Sequence, residues 1–145
     1  MKKLFFTALA AIALVTTAFA GPLTISSKMN EHFSGSFSKA KNATWKINDR
    51  FAKVSFQLGN EKWDAFYGTD GELIGTSRAI NFDKLPKSAL ETITTKYTYP
   101  EYQIKDCIEF VNADNEKNFY ASFDKAGETV VLEITRAGVV SLFAK

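Results

Sequence analysis

The residue types that support acid–base and nucleophilic catalysis are scarce in this 145-residue chain. His32 is the only histidine and Cys107 the only cysteine, whereas a Ser or Cys nucleophile needs a positioned base. His32 lies beside the apolar stripe of a predicted helix, so we expect it to be partly exposed. Cys107 is expected to behave as a small buried hydrophobe. We therefore predict no catalytic residues and interpret the chain as a non-enzyme.

Acidic residues near two turns are the remaining candidates for a ligand site. Asp70 and Glu72 flank Gly71, and Asp114 and Glu116 lie close together further along the chain. Their spacing does not match the EF-hand calcium loop, and no Cys/His cluster is available for zinc. We predict no cofactor and no metal ligands, and keep ion or small-molecule binding by these acids as an alternative hypothesis.

The first twenty residues have the layout of a secretory signal peptide. Two lysines precede an apolar run from Leu4 to Val15, and Ala18-Phe19-Ala20 supplies the small residues that a signal peptidase requires. The apolar run is too short for a permanent membrane-spanning helix. We predict a signal peptide over 1–20, cleavage after Ala20, a mature domain over 21–145 without a transmembrane anchor, and a periplasmic or secreted location.

Cleavage at this point would leave a neutral protein. The full chain has 18 basic and 16 acidic residues, and the signal contains two of the lysines and no acid, so the mature chain has 16 of each. Nucleic-acid binding needs a basic surface that neutralises phosphates. We therefore predict no nucleic-acid partner. Because a single cysteine forms no disulfide within the chain, the fold must depend on its hydrophobic core.

Two segments have the apolar periodicity of helices. A four-residue spacing of large apolar side chains predicts a helix over about 26 to 38, with Ser26 or Ser27 as its cap. A second helix is predicted to begin at Pro86, whose missing N–H suits a first turn, and to end before Pro100.

The remaining segments alternate apolar and polar residues and predict strands with one buried face. The alternation is clearest over 52–58, 63–67, 119–123 and 130–134. Tight turns are predicted at Gly59-Asn60, Asp70-Gly71, Ala126-Gly127 and Ala137-Gly138.

A shift of 67 residues aligns the inward positions of three strands, and about seven extra residues fall between 97 and 115. We therefore predict an α+β fold made of a tandem repeat, each unit being one helix followed by a four-stranded antiparallel meander. The units span about 24–80 and 81–145, with both helices packed on one face of the sheet.

The opposite face of this predicted sheet presents several apolar side chains. Exposed aromatic and aliphatic residues between charged ones are typical of protein-binding surfaces. The candidate partner-binding surface consists of Asp64, Phe66, Ile74, Tyr120, Val131, Val139 and Phe143. The same residues would also serve self-association, so that alternative stays open.

Residues 42–80, NATWKINDRFAKVSFQLGNEKWDAFYGTDGELIGTSRAI, and 85–97, LPKSALETITTKY, resemble the beta-lactamase-inhibitor-like, PepSY-like family of small exported Bacteroidetes proteins. The most specific part is AFYGTDGELIGTSR. The resemblance implies a fold similar to that of the secreted beta-lactamase inhibitory protein, with tandem helix-plus-sheet units.

The resemblance also implies an exported location and a protein-binding or inhibitory role. Our hypothesis is an exported, non-enzymatic binding module whose partner is an unidentified envelope or extracellular protein. The alternatives are a small-molecule or metal-ion binding envelope protein and a self-associating structural component of the envelope.

Overall fold

The computed structural model describes residues 24–143, so the predicted signal peptide and its cleavage site lie outside the described residues. A helix and four strands are followed by a short 3₁₀ turn (Phe82–Lys84), a second helix and four more strands. The elements are α1 (Ser27–Ser36), β1 (Lys41–Ile47), β2 (Phe51–Leu58), β3 (Glu61–Gly68), β4 (Leu73–Ala79), α2 (Lys87–Lys96), β5 (Gln103–Asn112), β6 (Lys117–Lys125), β7 (Glu128–Thr135) and β8 (Val140–Leu142).

All eight strands form one antiparallel sheet in which each strand pairs with the next along the chain. The predicted α+β class is therefore confirmed. The fourth and fifth strands join the two halves of the sheet, with Gly75 opposite Asn112 and Ala79 opposite Ile108. The predicted turns are also confirmed, since φ is positive at Gly59, Gly71, Ala126, Gly127 and Gly138.

Local sequence signals explain where the helices begin. The Ser26 side chain accepts a hydrogen bond from the Met29 amide at 3.2 Å, which satisfies one of the unpaired N–H groups of the first turn of α1. Helix α2 follows Pro86, where a missing N–H costs nothing. It ends at Lys96, before Pro100, as predicted.

Both helices pack on the same face of the sheet, over separate hydrophobic clusters. Met29 and Phe33 of α1 contact the inward side chains of β2 and β3, including Val54 and Ala65. The cluster under α2 contains Ala89, Ile93, Cys107, Ala121, Leu132 and Ile134. Each helix thus covers its own half of one continuous sheet.

The two halves share the register of their central hairpin. Val54 is opposite Ala65 in the first half, and Ala121 is opposite Leu132 in the second, each residue displaced by 67 positions from its counterpart. A one-residue slip would turn every side chain to the other face, so the same register places the same positions under each helix.

The helix-free face of the sheet carries a third cluster of buried residues. It contains Phe51, Phe66, Ile108, Phe110 and Tyr120, with Ile74, Val131 and Phe143 packed against it. Ring contacts run across the sheet from Phe66 to Phe110 at 6.4 Å and from Phe110 to Tyr120 at 6.5 Å between centroids. We call these eight residues the aromatic belt.

The aromatic belt corrects the expectation that this face exposes its aromatic side chains. Phe66 is 3% exposed and Tyr120 is 5% exposed, because neighbouring rings and aliphatic groups cover them without help from a helix. Gly75 makes this packing possible, since a Cβ at that position would lie 2.5 Å from Cζ of Phe110. The small residue lets the Phe110 ring cross β4 towards Phe66.

Candidate functional site

The helix-free face of β1 to β4 holds an open groove beside the aromatic belt. The groove encloses about 620 Å³ and is lined largely by polar and charged residues. Its lining is Asn42, Thr44, Lys46, Lys53, Ser55, Phe56, Gln57, Lys62, Trp63, Asp64, Ser77, Arg78 and Ala79. We call this feature the polar groove.

Strand register places the side chains of the polar groove in rows across the sheet. Thr44, Ser55, Asp64 and Ser77 are successive cross-strand neighbours and form the central row. Side chains that are two apart on a strand share a face, so the lysines at positions 46, 53 and 62 flank this row. The intervening Trp45 and Val54 point to the helix side, where they pack in the α1 cluster.

One carboxylate and three lysines set the electrostatics of the groove. Asp64 accepts a hydrogen bond from the Ser55 hydroxyl, and its other oxygen lies 3.7 Å from Nζ of Lys53. Lys46 and Lys62 are exposed, and within residues 24–143 neither forms an ion pair. The groove therefore presents excess positive charge.

A charge network lies on the opposite, helix-bearing face of the sheet, behind the groove. Arg78 donates from Nη1 to Glu61 at 2.9 Å and from Nε to Glu109 at 3.2 Å, while Lys117 lies 3.1 Å from the second oxygen of Glu109. The guanidinium also lies over the Trp63 ring, 5.2 Å from its centroid. The hydrogen bond with Glu61 is the main cause that raises the pKa of Arg78 above its ordinary value.

This network lies between the helix-covered clusters and across β3 to β6. Two acidic and two basic residues balance each other within it. Glu109 is buried, so its two cationic neighbours compensate a charge that would otherwise be costly there. The arrangement links β3, β4, β5 and β6, where the two halves of the sheet meet, and thereby supports the floor of the polar groove.

His32 is exposed, consistent with the expectation from its position on α1. Its Nδ1 lies 3.0 Å from the Tyr67 hydroxyl, and its Nε2 lies 3.4 Å from the hydroxyl of Ser36. Burial raises the pKa of Tyr67 to about 12, so the phenol is protonated at neutral pH. The contact fastens the helix to the sheet.

Cys107 is buried in the cluster under α2, as predicted. Burial raises the pKa of its thiol to about 12, which keeps the thiolate population negligible at neutral pH. Its environment is that of a packing residue.

Three of the four acids near the turns, Asp70, Glu72 and Glu116, have structural partners. The Asp70 side chain accepts the Glu72 backbone N–H at 3.0 Å, and Glu72 forms an ion pair with Lys28 on α1. Asn112 and Glu116 bond to each other across the β5–β6 turn. Among residues 24–143 no group of three His, Cys, Asp or Glu side chains is arranged to hold a metal ion.

The seven residues predicted as a partner surface fall in three places. Phe66, Ile74, Tyr120, Val131 and Phe143 all belong to the aromatic belt, where they are buried or half-buried. Asp64 lies in the polar groove. Val139 is 63% exposed in the β7–β8 turn, apart from both. Their role in partner binding stays a prediction.

Sequence reasoning missed the contribution of β1 to this face. Lys46 belongs to the surface because Thr44, Trp45, Lys46 and Ile47 alternate in polarity along an edge strand. That short alternation was the available signal, although a seven-residue edge strand with mostly exposed side chains is a weak pattern.

A second, more apolar depression lies at the end of α2. It encloses about 470 Å³, and Phe82, Tyr97, Tyr99, Tyr102 and Ile104 contribute to its wall. Tyr99 is 80% exposed, whereas Tyr97 and Tyr102 pack edge to face at 5.1 Å. Tyr97, Tyr99, Tyr102 and Ile104 come from the segment where the second half of the chain was predicted to carry extra residues.

Solved structures with the same architecture come from Bacteroides species. A DUF2874 family protein from Bacteroides ovatus aligns with a TM-score of 0.69 at 12% identity, over 82% of this chain and 88% of that one. A BLIP-like protein from Bacteroides fragilis aligns with a TM-score of 0.66 at 15% identity, over 83% and 86%. This chain shares their fold.

A candidate periplasmic protein from Bacteroides eggerthii has the fold as well, with a TM-score of 0.69 at 9% identity over 81% of this chain and 86% of that one. The expected likeness to beta-lactamase-inhibitor-like proteins of Bacteroidetes is thus confirmed at the level of fold. No protein-family model and no curated protein matches the sequence. None of the helices within 24–143 is long and apolar enough to cross a membrane.

Proposed function

We propose that this protein is an exported, non-enzymatic binding module that docks another protein in the polar groove on the helix-free face of its sheet. The observation that carries the proposal is the groove itself. It is an open concavity, lined mainly by polar and positively charged residues, on a sheet face that neither helix covers. Both helices pack on the opposite face of the sheet, so the face with the groove is the one available for recognition.

The floor of the groove is suited to recognition because it is held in place before a partner arrives. The aromatic belt fixes one side of the face, and the ion network of Arg78 and Glu109 fixes the sheet from behind. A preformed surface loses little conformational entropy on association, which favours affinity. An inhibitor-like role fits such a rigid face and accords with the BLIP-like fold neighbour.

Two finer features belong to the same proposal. We interpret the chain as a tandem repeat of one helix and a four-stranded meander, because cross-strand pairs recur at a displacement of 67 residues. We also place the mature protein in the periplasm or outside the cell, on the layout of residues 1–20.

The proposal is tested by site-specific photocrosslinking in the native envelope. A photoreactive phenylalanine analogue replaces Gln57 in the groove, and a matched variant carries it at exposed Thr95 on α2. We expect a discrete adduct with another protein from position 57 and none from position 95. Equal adduct patterns, or no adduct at position 57, would reject the groove as a docking site.

Self-association is the competing use of this face, and the same adducts distinguish it. An adduct of twice the protein's own mass, with a concentration-dependent sedimentation coefficient, would identify a second copy as the occupant. The outer edge of β1 argues against open-ended strand pairing, because it carries a bulge and Lys41.

A further inference from the structure

Lys46 and Lys53 are directly opposite each other on neighbouring antiparallel strands of the polar groove. Like charges at such a cross-strand pair destabilise a sheet, so this pairing is a local cost to folding. Such violations of local preference occur at functional sites, where another requirement overrides stability. The cost would be offset if the bound partner supplied negative charge.

The environment of each lysine shows where that negative charge would be needed. Only 12% of the Lys53 side chain is exposed, and it lies against Asp64. Lys46 and Lys62 are exposed on either side of that pair. They are separated by two strand spacings and by four residues along the strand, which is roughly 16 Å between their Cα atoms.

This separation suits the spacing of side chains on an extended peptide. Side chains at alternate positions of a strand lie on one face about 7 Å apart, so those four residues apart lie about 13 Å apart. The flexible side chains of glutamate and lysine span the remaining difference of about 3 Å, so two carboxylates at such positions would reach both exposed lysines. An extended segment with acids at alternate positions therefore matches the groove.

The other polar groups of the groove favour a peptide over a polyphosphate. Asp64 and Gln57 offer oxygen acceptors among the lysines. A peptide backbone donates N–H groups to such acceptors, whereas a phosphate chain offers only further negative oxygens, which the Asp64 carboxylate repels. The predicted mature chain also has equal numbers of acidic and basic residues, whereas non-specific polyanion binding depends on a broad excess of basic residues.

We infer that the partner docks through an acidic, extended segment whose carboxylates bind Lys46 and Lys62. This inference rests on the proposed function and specifies the chemistry of the partner. The edge position of β1 leaves Lys46 accessible from the rim, and Lys62 lies near the β2–β3 turn, so the segment would cross the groove diagonally.

The test uses the mature protein and a fluorescent peptide with glutamate at every second position over eight residues. A second peptide of the same length has glutamine at those positions. The double variant K46Q/K62Q is compared with K87Q/K96Q, which removes two exposed lysines from α2. We expect the glutamate peptide to bind at least 10-fold more weakly to the groove variant and within 2-fold of normal to the helix variant. Equal affinities for all three proteins, or for both peptides, would overturn the inference.

Two further probes separate an acidic peptide from anions in general. A twelve-nucleotide oligothymidylate and phosphatidylglycerol vesicles are titrated under the same conditions. Binding of either probe as tight as that of the glutamate peptide would overturn the inference. Because the replaced side chains are exposed, we expect the thermal unfolding midpoint of K46Q/K62Q not to fall.

Crosslinking from position 57 in the K46Q/K62Q background distinguishes failure of the acidic-segment inference from failure of the proposed docking site. Loss of the adduct supports the acidic segment. An undiminished adduct refutes it while the docking site stands, whereas absence of the adduct in the otherwise unaltered protein refutes the docking site.

Discussion

Gly138 lies so close to Ser88 that a Cβ at position 138 would be 1.9 Å from the Ser88 Oγ. The same serine donates a hydrogen bond to the carbonyl of Ala137 at 3.2 Å, so the β7–β8 turn is held against the start of α2. In the first half, Gly71 of the β3–β4 turn lies against Ser26 and Lys28 at the start of α1. Each hairpin turn thus supports the first turn of a helix.

This contact predicts that Gly138→Ala is strongly destabilising. Its φ is +85°, which costs an alanine about 1–2 kcal/mol, and the clash with Ser88 adds to that strain. The matched control is Gly127→Ala, where φ is +84° but no atom lies within 4 Å of the added methyl group. Urea unfolding should show a loss for Gly138→Ala that exceeds the control by about 1 kcal/mol or more. Equal losses would mean that the turn moves freely away from α2.

The aromatic belt predicts that Phe66 is a stability residue. Replacing a buried phenylalanine by alanine removes burial energy and leaves a cavity, which costs about 3–5 kcal/mol. Val139→Ala, at an exposed position, should change the free energy of unfolding by less than about 0.5 kcal/mol. Urea titration followed by tryptophan fluorescence measures both. A Phe66→Ala protein as stable as the Val139 variant would contradict the packing described for this face.

The charge network of Glu61, Arg78, Glu109 and Lys117, which we call the seam network, predicts energetic coupling between Arg78 and Glu109. Arg78→Ala would leave the buried Glu109 carboxylate with Lys117 alone, and we expect a loss of about 2–3 kcal/mol in the free energy of unfolding. The double variant Arg78→Ala/Glu109→Ala should lose less than the sum of the two single changes, by about 1 kcal/mol. Additive losses would show that the two groups are uncoupled.

The exposed pair of Lys28 and Glu72 is the matched control for the seam network. Solvent screens such pairs, so Lys28→Ala should cost less than about 1 kcal/mol. A cost as large as that of Arg78→Ala would indicate that burial does not determine how much the seam network contributes to the free energy of unfolding.

Tyr67 predicts a loss of stability at alkaline pH. Its pKa is raised by burial to about 12, whereas the unfolded chain releases this proton near its ordinary value of 10.0. Between these values the unfolded state binds fewer protons than the folded state, so the free energy of unfolding falls as pH rises. The slope from this one group is at most about 1.4 kcal/mol per pH unit. The contribution is complete below pH 10 and disappears as pH approaches 12.

Unfolding measured by urea from pH 8 to 11.5 checks this dependence. Tyr67→Phe should flatten the decline above about pH 10, because the titrating group is gone. Tyr99→Phe is the control, since that side chain is 80% exposed and should leave the slope unchanged. A Tyr67→Phe slope identical to that of the unaltered protein would assign the alkaline dependence to other groups.

Much of the fold was predictable because its signals are local. The period of apolar residues on α1 follows from residues such as Met29 and Phe33, and the capping role of Ser26 follows from its type and position. The equal register of the two central hairpins was visible as a 67-residue displacement. The resemblance of residues 42–80 and 85–97 to an exported Bacteroidetes family correctly indicated the fold.

The sequence by itself therefore determined the secondary structure, the alternation that assigns each strand residue to a face, and the helix-covered core. Only the tertiary structure decided what the other face does. Alternation places Phe66 and Lys46 on that face alike, but it does not state which neighbours several strands away will cover them. Rings that meet across Gly75 form a buried belt, and lysines beyond that belt line an open groove. Burial on a sheet face depends on such long-range contacts, which the polarity of a single strand does not encode.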